Sequence, residues 1–302
     1  MYTLHLNTLG TSDLFSSSIL CISRYYFCLV DYGQYSWING IYTQLLHPTL
    51  VWSKTRVCTF FIDYCLDGLT NIIYRVYKNK CPDDYPILFR IYGAESNKYL
   101  NRAKELEFLS ILSKHNFGVK LIQHFPEGRL EVWRVGFKVS LNDCGCRDPL
   151  LSRQIAEKLA DLHNIPIEGS MFCSFTDMLR SWTSLCEKCL SADAFEGFSL
   201  NNLSQEISLN EELIRNECHD FVYGHQDLLR GNVLRNSNGD VLLVDFEYCC
   251  ILPAPLDICH HYCEWMTRYD SDSYWIDWRL HPNEDEERNF IAAYLHRRRF
   301  GT

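Results

Sequence analysis

Charge is almost missing from the first fifty residues, which hold Asp13, Arg24 and Asp31 and no other Asp, Glu, Lys or Arg, in a chain with 29 basic and 38 acidic side chains. Basic residues are also in deficit overall. The formal net charge of −9 excludes a protein that lives on nucleic-acid phosphates, which would need a basic face. A nucleotide needs only a few local donors and stays open. No apolar run reaches the roughly 18–20 residues of a membrane span. Leu14–Val30 comes closest and is broken by Ser16–Ser18, Arg24 and a tyrosine pair. It has no basic n-region, so a secretory signal is not expected. The location expected by default is cytoplasmic, with no stable membrane insertion. With 47% hydrophobic and 22% charged residues, a disordered chain is excluded.

Regular cysteine spacing is missing too, although cysteine itself is abundant at fifteen. A chain of 302 residues buries on the order of 75% of its unfolded surface and needs no disulfide framework. Cys186 and Cys189 form a CxxC with no second half at zinc spacing, and Cys144 and Cys146 are similarly alone. Reduced thiols are the better reading than structural zinc.

The length suggests about two domains, and no internal repeat is evident. Asn71–Tyr77 (NIIYRVY) and Pro86–Tyr92 (PILFRIY) are rich in β-branched and aromatic residues and predict an antiparallel pair. Between Asn101 and Lys114, Ala103, Leu106, Leu109 and Leu112 keep helical spacing. Leu121–Phe125 and Leu130–Val135 read as strands around a turn at Pro126–Arg129. Over 150–220 the pattern becomes helical: Ile155, Leu159 and Leu162 sit at i, i+4, i+7, and amphipathic stretches cover 175–190 and 203–217. It is followed by a hairpin of Val233–Arg235 and Val241–Val244 around Asn238–Gly239.

The segment Phe221–Tyr248 carries His225, Asp227, Asn232 and Asp245 as H-x-D-x4-N, a hairpin, then D-F-E. This arrangement suits phosphoryl transfer. A loop aspartate can accept the proton of an attacking hydroxyl, and the Asn and second Asp offer hard oxygens to Mg²⁺. A lone Asp in a loop is usually a turn former, but four placed residues and a hairpin are harder to obtain by accident.

The segment resembles that of the choline/ethanolamine kinases, which share a two-lobed protein-kinase-like fold. The resemblance extends over about 65–295. PLDICHHYCEW at 255–265 is similar to that family's F-D-I-x-N-H-F-C-E-W block, and DGLTN at 67–71 to its G-G-x-S/T-N phosphate loop. ILFRIYGAE at 87–95, FGVKLIQHFPEGRLE at 117–131, Ala156–His163 and Phe290–Leu295 each resemble further blocks. The implied fold class is α+β, with a small β-rich first lobe and a mainly helical second lobe. Residues 1–54 would be an extension without assigned function, 55–140 the nucleotide-binding lobe and 141–302 the catalytic and substrate lobe, without the family's last helices.

Carried over, the resemblance implies Asp227 as catalytic base and Asn232 and Asp245 as Mg²⁺ ligands. Gly68, Thr70, Asn71 and Arg90 would hold ATP, with Glu105 pairing with Arg90. Residues 131–135 would link the lobes beside the adenine. Asp227, Tyr248, Glu264, Trp265 and Tyr269 would line the amino-alcohol site, where a quaternary ammonium needs aromatic faces and a carboxylate. His225, Asp257 and His261 would brace the catalytic loop. His163 is read as a helix-end residue, and Trp275 and Trp278 as core rather than pocket. Gln226 and His260 stand where the family usually has Asn, and Asp67 where it has Gly. Leu228–Leu229 looks like ethanolamine kinases and Cys263–Met266 like choline kinases, so the acceptor stays open between the two. The implied cofactors are ATP and Mg²⁺, and the implied assembly is a homodimer. An aminoglycoside-type phosphotransferase and a non-catalytic truncated paralogue remain alternatives at this point.

Overall fold

The computed structural model describes residues 60–67, 71–78, 86–93, 96–139, 145–167, 174–191, 193–194, 202–269 and 274–301. The extension expected at 1–54 lies outside the described residues.

The first lobe is a five-stranded antiparallel sheet with a helix. Its strands are β1 (Phe60–Asp67), β2 (Asn71–Lys78) and β3 (Ile87–Tyr92), then, after helix α1 (Arg102–Lys114), β4 (Leu121–Phe125) and β5 (Gly128–Val132). They stand in the order β1-β2-β3-β5-β4. The expected pairing of β2 with β3 is present, with Ile73 opposite Arg90. The β4–β5 turn is tighter than the sequence suggests. It uses Pro126 and Glu127, and β5 already begins at Gly128. Glycine is needed there because an added Cβ would collide with the Arg90 carbonyl oxygen. Asn101 caps α1, its side chain accepting from the Lys104 N–H at 3.2 Å.

The chain leaves β5 through 133–137 into a short strand β6 (Lys138–Val139). Helices α2 (Pro149–His163), α3 (Phe175–Cys189) and α4 (Leu203–Glu217) follow. Strand β7 (Phe221–Gly224) leads to the hairpin β8 (Val233–Arg235) and β9 (Val241–Leu243). Beyond it lie β10 (Cys250–Pro253), α5 (Ala254–Met266), β11 (Thr267–Tyr269), β12 (Tyr274–Ile276) and α6 (Glu284–Phe300). Strand β6 pairs with β8, so this pairing runs across the lobe boundary expected at 140. The antiparallel pair of β7 and β10 had no signal in the sequence, because each strand is only four residues long and neither alternates.

One apolar core serves the junction. Phe108, Leu109, Leu112 and Phe117 from the first lobe meet Ile155, Leu159, Leu162, Tyr223, Phe246 and Phe290 from the second. Phe246 is at its centre, with ring centroids 5.9 Å from Phe108, 6.2 Å from Phe117 and 4.8 Å from His225. Each such buried ring contributes about 1.5–3 kcal/mol, so the residue after Asp245 anchors that aspartate to the best-packed part of the molecule. Helix α6 closes the far side through Phe290, Ala293 and Tyr294, and Arg297 pairs with Asp161 of α2 at 2.6 Å. The core placement expected for Trp275 and Trp278 is not observed. They are 44% and 70% exposed, because β12 and the turn after it lie on the outer surface. None of the described helices is long and apolar enough to cross a membrane.

Candidate active site

Four hydrogen bonds to one buried carboxylate shape the loop after β7. Asp257, on the first turn of α5 and fully buried, accepts from the backbone N–H groups of His225 at 2.7 Å and Gln226 at 2.9 Å. It also accepts from Gln226 Nε2 at 3.2 Å and His163 Nε2 at 3.0 Å. Burial alone would push this carboxyl up. The hydrogen bond from His163, and the nearby His163 and His225 rings, instead hold it well below the ordinary carboxylate range. His163 is the last residue of α2, as expected of a helix-end residue, but it is also a partner of Asp257 and of the Tyr294 hydroxyl at 2.7 Å.

These bonds hold Gln226 at φ 56°, a left-handed conformation that a non-glycine residue adopts only when its surroundings impose it. The amide of Gln226 thus keeps a loop-bracing role despite the change from Asn. His225 Nε2 donates to the Val244 carbonyl at 3.0 Å, and its Nδ1 accepts from the Asp227 N–H at 3.3 Å. Acceptance at Nδ1 requires the neutral ring, and burial lowers its pKa accordingly. His261 Nδ1 donates to the Leu228 carbonyl at 2.9 Å while its Nε2 accepts from Trp265 Nε1 at 3.2 Å. Burial brings this imidazole down to about 4.

On this frame Asn232 donates its amide to the Asp227 carbonyl at 2.8 Å and to Asp227 Oδ2 at 2.7 Å. The Val244 N–H reaches the Asn232 carbonyl at 3.0 Å, which brings Asp245 beside Asn232 across the hairpin. Asp245 has φ 68° and accepts from Arg90 Nη1 at 2.8 Å. Asp227 is half-buried, and desolvation, with Asp245 and Glu264 nearby, pushes its carboxyl up to about 8. A carboxylate so crowded by like charge takes up protons and cations readily.

The donor set fits a hard divalent cation. Asn232 has its amide nitrogen committed to Asp227, leaving Oδ1 as its ligating atom, and Asp245 has a second carboxylate oxygen. Two protein oxygens with the rest from water and phosphate is the pattern Mg²⁺ favours.

One expected pairing is corrected. Glu105 does not pair with Arg90. Arg90 turns to Asp245 and, through Nε at 3.5 Å, to Glu131. Glu105 instead takes Arg129 Nη1 at 2.6 Å and Arg102 Nη1 at 2.7 Å. The cause is the register of the sheet. Arg90 and Arg129 are cross-strand partners, and Arg129, on β5, fills the position facing α1. Arg129 and Glu131 are both almost fully buried, although a charged pair on a short strand looks like an exposed face.

Gly68 and Thr70 lie outside the described residues, as does the side chain of Tyr269. Asn71 is buried and donates to Glu247 Oε2 at 2.9 Å. Tyr248 is half-buried, with its ring edge-on to Trp182 of α3 at 5.9 Å. Trp182 was not anticipated. Its indole N–H donates to the Tyr99 carbonyl at 2.9 Å, so it ties the lobes together beside the site. Glu264 is half-buried and walls a small cavity with Cys146, Arg230, Thr267 and Arg268. Trp265 is buried, bonded to His261, with the Arg147 guanidinium 5.3 Å from its ring centroid. It therefore packs as part of the brace as well as bordering that cavity. Cys186 and Cys189 are free thiols on α3.

Residues 62–300 match the family model described as choline/ethanolamine kinase. A probable choline kinase of Arabidopsis thaliana is 31% identical over 211 residues, covering 69% of this chain and 60% of that protein. The human choline/ethanolamine kinase is 28% identical over 250 residues, covering 76% of this chain and 61% of its own. Among solved structures, an ethanolamine kinase of Plasmodium vivax superposes with a TM-score of 0.65 at 25% identity, over 79% of this chain and 67% of that one. The chain spans about 60% of the length of the curated relatives it matches.

Proposed function

Since the chain belongs to the choline/ethanolamine kinase family, we propose that it transfers the γ-phosphoryl group of ATP to the hydroxyl of choline or ethanolamine. The product would be phosphocholine or phosphoethanolamine, and the use would be phospholipid head-group synthesis. The observation that carries this reading is Asp227 Oδ2 held at 2.7 Å by Asn232, with the Asp245 charge near enough to raise the Asp227 pKa and itself paired with Arg90.

In this mechanism Asp227 accepts a hydrogen bond from the substrate hydroxyl and aims its oxygen at the γ-phosphorus. The new O–P bond forms as the bond to the β-phosphate oxygen breaks. The hydroxyl proton passes to Asp227 and ADP departs. Asn232 keeps the Asp227 carboxylate from rotating, so the protein's contribution is mainly positioning. Asn232 and Asp245 are the residues that would hold Mg²⁺, which supplies neutralisation of phosphate charge when bound. Arg90, always charged and forked, would bind phosphate oxygens while tethered to Asp245. Glu264 and Tyr248 supply the carboxylate and the aromatic face suited to the ammonium end.

The test is ADP release by purified protein with ATP, Mg²⁺ and each amino alcohol in turn. Turnover with one or both is expected, together with a fall of at least a hundredfold in kcat for Asp227→Ala. No acceptor-dependent ADP release, or equal rates for wild type and Asp227→Ala, would refute the proposal.

A further inference from the structure

Arg102, the first residue of α1, lies where four separate parts of the chain meet. Its guanidinium stands 4.2 Å from the Tyr92 ring centroid. Nη1 donates to Glu105 Oε2 at 2.7 Å and to Glu247 Oε2 at 3.1 Å. Nη2 donates to Ser96 Oγ at 2.7 Å and Asn71 Oδ1 at 3.3 Å. Asn71 returns a bond from its amide nitrogen to the same Glu247 oxygen. The side chain is 11% exposed.

Charge explains why an arginine is needed. Carboxylate oxygens of Glu105, Asp245 and Glu247 approach within 4.8 Å of one another, a spacing at which like charges repel strongly in a poorly hydrated site. Three guanidiniums separate them. Arg90 takes Asp245, Arg129 takes Glu105, and Arg102 joins Glu105 to Glu247. Glu247 is two residues beyond Asp245, and Asn71 closes the stretch expected to cover the phosphates. One planar fork therefore sets the distance between the end of the phosphate loop and the segment carrying Asp245. A lysine has the charge but not the two-sided geometry.

We infer that Arg102 is a positioning residue of the nucleotide site, acting through Asn71 and Glu247. This assignment rests on the kinase reading above. It predicts a split in kinetics, because the Arg102 guanidinium bonds to Asn71, Ser96, Glu105 and Glu247, tying α1 to the end of the phosphate loop.

The experiment measures KM for ATP and for the amino alcohol, and mant-ATP affinity, in full-length wild type, Arg102→Lys, Arg102→Met, Glu247→Gln and the Arg102→Met/Glu247→Gln double variant. Arg102→Met should raise KM for ATP about tenfold, equal to about 1.4 kcal/mol, with the acceptor KM within twofold. Arg102→Lys should recover part of the loss, and the double variant should be no worse than Arg102→Met. Nucleotide parameters within twofold of wild type, or an equal rise in both KM values, overturn the assignment. If Arg102→Met does not fold, mant-ATP binding by Arg102→Lys and Glu247→Gln decides. Weakened binding in both supports the assignment, and unchanged binding in either overturns it. Wild type that binds no mant-ATP overturns the kinase reading and the assignment with it.

Discussion

Replacing Asp257 by Asn removes one charge and converts one of two acceptor oxygens into a donor. All four groups around the carboxylate are donors: two backbone N–H groups, the Gln226 amide and His163 Nε2. Whichever way the new amide is turned, its NH₂ faces a backbone N–H, so at least one buried donor loses its partner. Leaving a buried donor unsatisfied costs about 1–3 kcal/mol, and a hydrogen bond to a charged group is worth about 1.5–3 kcal/mol. Together these suggest a loss of about 2–4 kcal/mol. At about 2–4 °C per kcal/mol for a domain of this size, the melting temperature should drop by about 5–15 °C. The same substitution frees Gln226 from its left-handed conformation, next to Asp227, so kcat should fall with it. Differential scanning fluorimetry and the ADP-release assay read both quantities. An Asp257→Asn protein that melts within about 2 °C of wild type and keeps its kcat would refute the bracing argument.

Buried, neutral His261 has a folded pKa near 4, below its unfolded value of about 6.5. Between those values the unfolded chain binds the extra proton, so stability should fall as pH drops from about 6.5 to 4. Melting curves at pH 7 and pH 5 should differ less for His261→Gln than for wild type, and an unchanged difference would count against the assignment. Arg90→Met leaves Asp245 and Glu131 without this cation and should cost about 3–5 kcal/mol, as for a broken buried pair; urea unfolding measures it. Gly128→Ala must displace the Arg90 backbone and should lower stability by about 1–3 kcal/mol, while Gly136→Ala, with open space around it, reports the smaller cost of its positive φ alone.

Much of this architecture was legible in the chain. The β-branched run of Asn71–Tyr77 and the spacing of Leu106, Leu109 and Leu112 lie on β2 and α1. The Asn238–Gly239 turn closes β8 on β9 as its chemistry required. The H-x-D-x4-N spacing likewise places the Asn232 amide on Asp227. What escaped the sequence was long-range charge pairing. Which arginine faces Glu105 depends on the register of β3 against β5, and neighbouring charged residues carry no mark of which will be buried. Trp275 and Trp278 misled for a related reason. Aromatic residues suggest burial, but nothing in their spacing showed that β12 and the turn after it would lie on the outside.

Helix α5 joins two residues of the proposed site. It carries Asp257, which fixes the loop after β7, and Glu264, which walls the small cavity beside Arg230 and Arg268, seven residues apart. Seven residues are close to two full turns and about 10.5 Å of rise. On the proposed reading the helix is a ruler, with the brace of the Asp227 loop at one end and the carboxylate proposed for the ammonium at the other. The length of amino alcohol accepted would then be set by a count of residues along a rod. A single-residue insertion between 257 and 264 would turn Glu264 by about 100° and shift it by about 1.5 Å, resetting that measure without touching any side chain at either end.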